Sequence, residues 1–168
     1  RIEVAAAIKE MDWQIGEGRR LYGETVPAES NGVFAYSIRQ PLGVVSVISP
    51  WNFPFNVPCR KCVPALMAGN TVVFKPASLT PRSGVCFVEA FEEAGLPPGA
   101  LNLVTGPGMT VGDELVTNPA IRAVSFTGST PVGAEILAKA AATRARTQLE
   151  RGGKNPIVVL ADSDLAAA

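Results

Sequence analysis

Short apolar runs rich in β-branched residues recur along this chain, spaced so that one helix fits between each pair. VVSVIS at 44–49 and TVVFK at 71–75 are nearly continuous, the pattern of strands covered on both faces. LNLV at 101–104, AVSF at 123–126, TQLE at 147–150 and IVVLAD at 157–162 read as further strands. Helices fall between them. One runs over about 58–68, with Pro64 kinking it or starting a new turn and Gly69-Asn70 stopping it. Thr80-Pro81 opens the next with a capping hydroxyl and a proline in the first turn; Val85, Val88 and Phe91 mark its inner side, and Gly95 ends it. Shorter helical patterns cover 110–117 and 131–142. Parallel strands need such crossovers, so the expected fold is α/β: a doubly wound, mostly parallel, Rossmann-like sheet with helices on both faces.

Ahead of this alternation lie two different segments. Residues 1–20 read as an amphipathic helix, because Val4, Ile8, Met11 and Ile15 recur at helical spacing; no cap precedes them, so the natural start is expected further upstream. Residues 21–41 begin with turn formers and continue into an alternating stretch at 33–39, with Phe34, Tyr36 and Ile38 on one face, expected as a half-exposed strand outside the main sheet. The main α/β unit is expected over 42–168.

Charge and residue usage exclude several function classes. Fifteen Lys and Arg balance fifteen Asp and Glu, so there is no basic field for nucleic acid or an anionic membrane. No apolar run approaches the roughly 18 residues of a spanning helix, and the N-terminus lacks signal-peptide zoning, so a cytoplasmic protein is expected. The chain has no histidine, which removes Ser-His-Asp, Cys-His and histidine-metal chemistry from this segment. Cys59 and Cys62 form a C-x-x-C, read either as a redox pair or as two small buried helix residues one turn apart; no second pair completes a zinc site, and no metal is expected.

In an open α/β sheet ligands bind beyond the carboxyl ends of the strands, so the residues just past each run carry the functional information. After 126 the chain passes through Thr127-Gly128-Ser129 into a helix, whose free N–H groups suit a phosphate, although Ser129 reads equally as an ordinary helix cap. The nearby glycines Gly106, Gly108 and Gly112 do not match the G-x-G-x-x-G fingerprint and can simply shape a turn. Lys75 is placed to donate to ribose or phosphate, or to be merely solvated. Asn52, crowded by Trp51, Phe53 and Pro54, is either an oxyanion donor or an Asx-turn residue. Glu150, followed at 152–153 by two glycines, is either a general base or an exposed carboxylate.

Taken together, PWNFP at 50–54, PALMAGNTVVFKP at 64–76, AGLPPGALNLVTG at 94–106, FTGST at 126–130 and LERGGKNP at 149–156 resemble the aldehyde dehydrogenase superfamily, block by block and in order. The resemblance covers the chain from about Gly23 onward, and it implies an NAD(P)-dependent oxidation of an aldehyde to a carboxylate. In that family a cysteine attacks the aldehyde, hydride passes to nicotinamide, and a glutamate activates water to hydrolyse the thioester. Residue by residue, Asn52 matches the oxyanion donor and Glu150 the base. The coenzyme, NAD or NADP, falls to Ser49, Pro50 and Trp51 after the first strand, to Lys75, Pro76, Ala77 and Ser78 after the second, and to Gly108 after the third. Phe126, Thr127, Gly128 and Ser129 follow at the fourth, with Val132 in the next helix and Arg151 contributing its backbone carbonyl. The residues at 21–41 resemble oligomerisation strands, which implies a homodimer or homotetramer. GRRLYGETVP and VFKPASLTP are most similar to the semialdehyde-oxidising branch.

Two departures stand out. Arg151 occupies a position that is usually hydrophobic, and strand alternation turns it away from Glu150. The family's nucleophilic cysteine lies roughly thirty residues beyond the glutamate, and none of Cys59, Cys62 and Cys86 fits that motif, so the chain is expected to be a fragment, inactive by itself. Two competing readings are a non-catalytic nucleotide-binding module and a C-x-x-C thiol oxidoreductase.

Overall fold

A computed structural model describes residues 2–164. Its first helix, α1 (Ile2–Gly18), buries Ala7 and packs Met11 against the core cluster beneath it. Two strands of two residues each, β1 (Thr25–Val26) and β2 (Ala35–Tyr36), then pair antiparallel, Thr25 opposite Tyr36 and Val26 opposite Ala35. The strand expected over 33–39 is thus confined to its centre. Among the described residues nothing covers its apolar face, where Phe34, Tyr36 and Ile38 stay exposed, and alternation without a partner edge does not extend a ladder. The pair does lie outside the main sheet, as the sequence suggested.

The main sheet alternates as expected: β3 (Val44–Ile48), α2 (Asn56–Met67), β4 (Thr71–Lys75), α3 (Pro81–Glu93), β5 (Leu101–Leu103), a π-turn (Gly108–Gly112) leading into α4 (Asp113–Thr117), β6 (Ile121–Gly128), α5 (Thr130–Thr143) and β7 (Arg146–Arg151). All five strands are parallel, in the order β5-β4-β3-β6-β7. On one face Val47, Phe74 and Leu101 pack against Cys59 and Cys62 of α2 and Phe87 of α3. Phe87 anchors that layer through ring contacts with Phe55, Phe74 and Phe91 at 5.4, 5.6 and 5.0 Å. On the other face Val124 and Phe126 pack against Ile136 and Ala140 of α5 and Val116 of α4. Each face contributes most of its stabilisation through apolar area removed from water, about 25 cal/mol per Å2.

Local expectations fail where a side chain finds a different partner. Helix α2 runs through Pro64 and starts two residues earlier than periodicity suggests. Its start is set from outside: Glu3 Oε1 on α1 accepts from the backbone N–H groups of Phe55 at 2.7 Å and Asn56 at 2.9 Å, taking two donors a helix leaves open. Thr80 stands at the N-cap of α3, but its hydroxyl makes no capping bond; the backbone there, at ψ 43, departs from the extended form that aims a capping side chain. The strand expected at 157–162 does not form. Ile157 is 90% exposed and its apolar neighbours are largely so, because no strand edge lies beside them among the described residues. No helix among the described residues is long and apolar enough to cross a membrane.

Candidate functional site

Strand order reverses between β3 and β6, and in an open parallel sheet the crevice beyond that reversal is where ligands bind. Register sets four residues in one row across it: Lys75 beside Ile48, Ile48 beside Phe126, and Phe126 beside Leu149. Neighbours in a parallel ladder point the same way, so Lys75, Ile48 and Phe126 together face α4 and α5. There they help line a cavity of about 250 Å3, closed by Gly108 and Met109 of the π-turn, Val116 of α4, and Val132 and Ile136 of α5.

Polar groups converge on this row. Lys75 is 4% exposed, so the solvated alternative fails: its Nζ donates to Pro76 O at 3.2 Å, and burial lowers its pKa from the ordinary lysine value. Ser49, 3% exposed, donates its backbone N–H to Lys75 O at 3.2 Å, while its Oγ is buried without a hydrogen-bond partner. Such an orphan is costly unless a ligand or water completes it. Ser129 sits at the N-cap of α5 in extended backbone, yet makes no side-chain cap bond, so the ordinary-cap alternative is not realised. Pro131 in the first turn has no N–H, which leaves those of Thr130 and Val132 open. Gly128 is required by its own strand, since a Cβ there would come within 2.4 Å of the Phe126 ring.

The loops flanking the row are tightly built. Pro76 is buried beneath α3, where a Cβ on Gly84 would approach its ring to 2.7 Å. Ala77 is half-buried; Ser78 is exposed, and its hydroxyl donates to Gly106 O at 3.4 Å, tying the loop after β4 to the loop after β5. Gly106 has φ +148, and Gly108 opens the π-turn, so this glycine run does shape a turn while Gly108 also lines the cavity.

The next residue along each strand faces the α2 side. Thr127 pairs with Glu150, and the Thr127 hydroxyl donates to Glu150 Oε2 at 2.9 Å. Beneath them lies a residue that the sequence reading missed. Lys61 of α2 is 7% exposed and donates to Gln148 Oε1 at 2.7 Å and to Ser125 Oγ and Phe126 O, each at 3.2 Å. Burial lowers the Lys61 pKa, and the Glu150 carboxylate opposes that shift. The signal was available: a lysine one position before Cys62, in a helix face otherwise apolar, must either snorkel or be paired. Pro50 is half-buried, and Trp51 and Asn52 are exposed in the loop before α2. Asn52 is not crowded as expected, because Trp51 and Phe53 themselves turn outward; among the described residues no hydrogen bond holds its amide, which also removes the Asx-turn reading. Arg151 lies opposite Gly128 and turns to the α5 side, where its stem covers Gly133; a Cβ on that glycine would fall 2.5 Å from Arg151 Cδ.

The C-x-x-C pair takes the second of its two readings, small buried residues one turn apart in α2, with both thiols free. Cys59 and Cys62 are both buried in the α2 core, burial pushes the Cys59 thiol up to about 12, and Cys62 is raised by the same cause. Reactive thiols show the opposite shift.

A parallel sheet reversing at β3 and β6, with a buried lysine, an unpartnered serine and an open helix start at its carboxyl edge, defines a doubly wound α/β domain. The chain belongs to the aldehyde dehydrogenase family, whose model matches residues 1–168. It is 49% identical over 166 residues to the alpha-ketoglutaric semialdehyde dehydrogenase of Bacillus subtilis, covering 99% of this chain and 34% of that protein. To the NADP(+) succinate-semialdehyde dehydrogenase of Escherichia coli it is 43% identical, with the same coverage of each. The crystal structure of an aldehyde dehydrogenase from Brucella melitensis biovar abortus superposes with a TM-score of 0.91 at 45% identity, covering 98% of this chain and 34% of that one. The chain therefore spans about a third of the length of the relatives it matches.

Proposed function

We propose that this chain is the coenzyme-binding part of an NAD(P)-dependent aldehyde dehydrogenase that acts on a semialdehyde. The observation that carries the reading is the row Lys75–Ile48–Phe126 at the strand reversal, opening onto the cavity, with the unpartnered Ser49 Oγ and the Glu150 carboxylate each one residue further along its strand. The residues present fit a dinucleotide: apolar walls suit a base and ribose, and Lys75, Ser129 and the open N–H groups of α5 suit its hydroxyls and phosphates. When bound, the coenzyme supplies a hydride acceptor.

In this reading Ser129 and the start of α5 hold the phosphates, Lys75 and Ser49 orient the adenosine ribose, and the backbone carbonyl of Arg151 receives the nicotinamide amide. Asn52 donates from its side-chain amide to the aldehyde oxygen as negative charge develops there. Glu150 takes a proton from the water that releases the acid. Lys61 holds β6 and β7 together below Thr127 and Glu150 and so keeps the two strand ends in register. The semialdehyde class rests on the similarity to proteins bearing that name.

The test is direct. NAD and NADP are titrated against the full-length protein by quenching of tryptophan fluorescence, and aldehyde-dependent formation of reduced coenzyme is followed with 2-oxoglutarate and succinate semialdehydes. Saturable binding that weakens in Lys75→Ala, together with turnover of either semialdehyde, is the expected result. No binding of either dinucleotide sinks the proposal.

A further inference from the structure

Seven asparagines lie in the chain, and only Asn31 is followed by glycine. It stands in the turn between β1 and β2, where Asn31 and Gly32 are both exposed and Gly32 takes φ +81. One long backbone hydrogen bond closes the turn, from Val33 N–H to Ser30 O at 3.4 Å. The Asn31 side-chain amide and the Gly32 N–H have no hydrogen-bond partner among the described residues, and a Cβ on Gly32 would meet nothing within 4 Å. Beyond the turn the ladder is two residue pairs long, closed at its far end by bonds between Glu24 and Ser37. A segment held so lightly opens locally at little cost in free energy.

Every other asparagine lacks one of these features. Asn70 is buried, its Oδ1 accepting from the N–H groups of Leu42 and Gly43 and its Nδ2 donating to Ala65 O. Asn102 donates to Val72 O and Gly99 O. Asn118 and Asn155 precede prolines, whose nitrogen carries no hydrogen. Asn52 and Asn56 precede Phe53 and Val57, whose β-carbons obstruct the close approach that glycine permits.

Asparagine is among the thermally labile side chains. We infer that Asn31 is a site of spontaneous deamidation through the backbone nitrogen of Gly32. That nitrogen gives up its proton and bonds to Asn31 Cγ; the Cγ–Nδ2 bond breaks, and Nδ2 leaves as ammonia with the proton. Water then opens the cyclic imide at one of its two carbonyls. Cleavage at Cγ yields aspartate, and cleavage at the backbone carbonyl yields isoaspartate, whose chain continues through Cγ. The attack needs rotation about the Asn31 Cα–C bond, and within the turn only the 3.4 Å bond opposes it. Each conversion adds a carboxylate two residues from Glu29, in a chain whose formal charges otherwise balance. Isoaspartate also lengthens the backbone by one atom in the turn that sets the pairing of Thr25 with Tyr36.

The full-length protein is incubated in mildly alkaline buffer with and without denaturing urea, then followed by isoelectric focusing and by peptide mapping with mass spectrometry. The expected product is an acidic species with one mass unit added at Asn31, resolved into aspartyl and isoaspartyl peptides. Because one hydrogen bond guards the turn, the native rate is expected within about 10-fold of the rate in urea. Asn31→Ser abolishes the acidic species. Gly32→Ala leaves Asn31 in place and slows its conversion even in urea, where the folded turn plays no part. An Asn31 that converts in urea but stays intact in the native protein overturns the inference, and so does a Gly32→Ala protein that converts in urea at the wild-type rate.

Discussion

The Thr127 hydroxyl donates to Glu150 Oε2 at 2.9 Å, joining two residues that are also backbone neighbours on β6 and β7. The contact fixes where the carboxylate rests, on the α2 face of the strand ends. If Glu150 is the base, Glu150→Gln slows steady-state turnover by about 10²–10⁴-fold, the usual range for general-base loss. The first hydride transfer survives, so a rapid burst of reduced coenzyme precedes the slow phase. Thr127→Val costs far less, about 2- to 10-fold in the slow phase, as befits one hydrogen bond. Stopped-flow absorbance separates the phases, and a burst lost together with turnover gives Glu150 another role.

In the proposed mechanism Asn52 would act on charge that appears mainly in the transition state. Asn52→Ala is expected to lower turnover by about 10²–10³-fold, roughly 3–4 kcal/mol, with the dissociation constant for the coenzyme unchanged. Near-normal turnover in the variant removes Asn52 from the oxyanion site.

In the proposed coenzyme site Ser78 would govern coenzyme choice through what it lacks. A carboxylate here would accept from ribose hydroxyls and repel a 2′-phosphate; serine is neutral, its hydroxyl donates to Gly106 O, and Lys75 lies three residues before it. The protein is expected to use NADP at least as well as NAD, and Ser78→Glu to shift it toward NAD. The kcat/KM ratio for the two coenzymes in both proteins decides, and a strongly NAD-selective wild type with an unmoved ratio refutes the assignment.

Lys61 ties stability to pH. Its pKa in the fold is lowered by burial from 10.5, so between the folded value and 10.5 the unfolded chain holds more protons at this site. Stability contributed by this group therefore rises with pH across that window, and below the folded value the desolvated ammonium offsets part of what its hydrogen bonds contribute. Lys61→Met flattens the rise in alkaline solution. Near pH 7 it also destabilises by about 1–3 kcal/mol, because Phe126 O and Gln148 Oε1 lose the ammonium, the latter keeping the Ser125 hydroxyl as donor. Urea midpoints against pH for both proteins test the sign; a slope that is unchanged or steeper in the variant contradicts it.

The sheet was legible because its strands are buried on both faces, and burial writes itself into VVSVIS and TVVFK as unbroken β-branched runs. What escaped the sequence depends on partners remote in the chain. IVVLAD has the composition of a buried strand but no edge to join, and composition cannot supply one. Thr80 has the residue type of a cap without the backbone to aim it. Within the candidate site, Lys75, Ser129 and Glu150 were visible as polar residues at strand ends. Lys61 was not, since its role arises only when α2 is laid across β6 and β7 and its ammonium meets Ser125, Phe126 and Gln148.

Glu3 closes the start of α2 from more than fifty residues upstream. Anyone excising the α/β unit as a minimal module at about residue 42 would keep every strand of the main sheet and every loop of the crevice, yet would strip the one oxygen that accepts from the N–H groups of Phe55 and Asn56, just past Asn52. The loop that carries Asn52 would be the first to fray. The practical boundary of the unit is therefore drawn by a single carboxylate on α1.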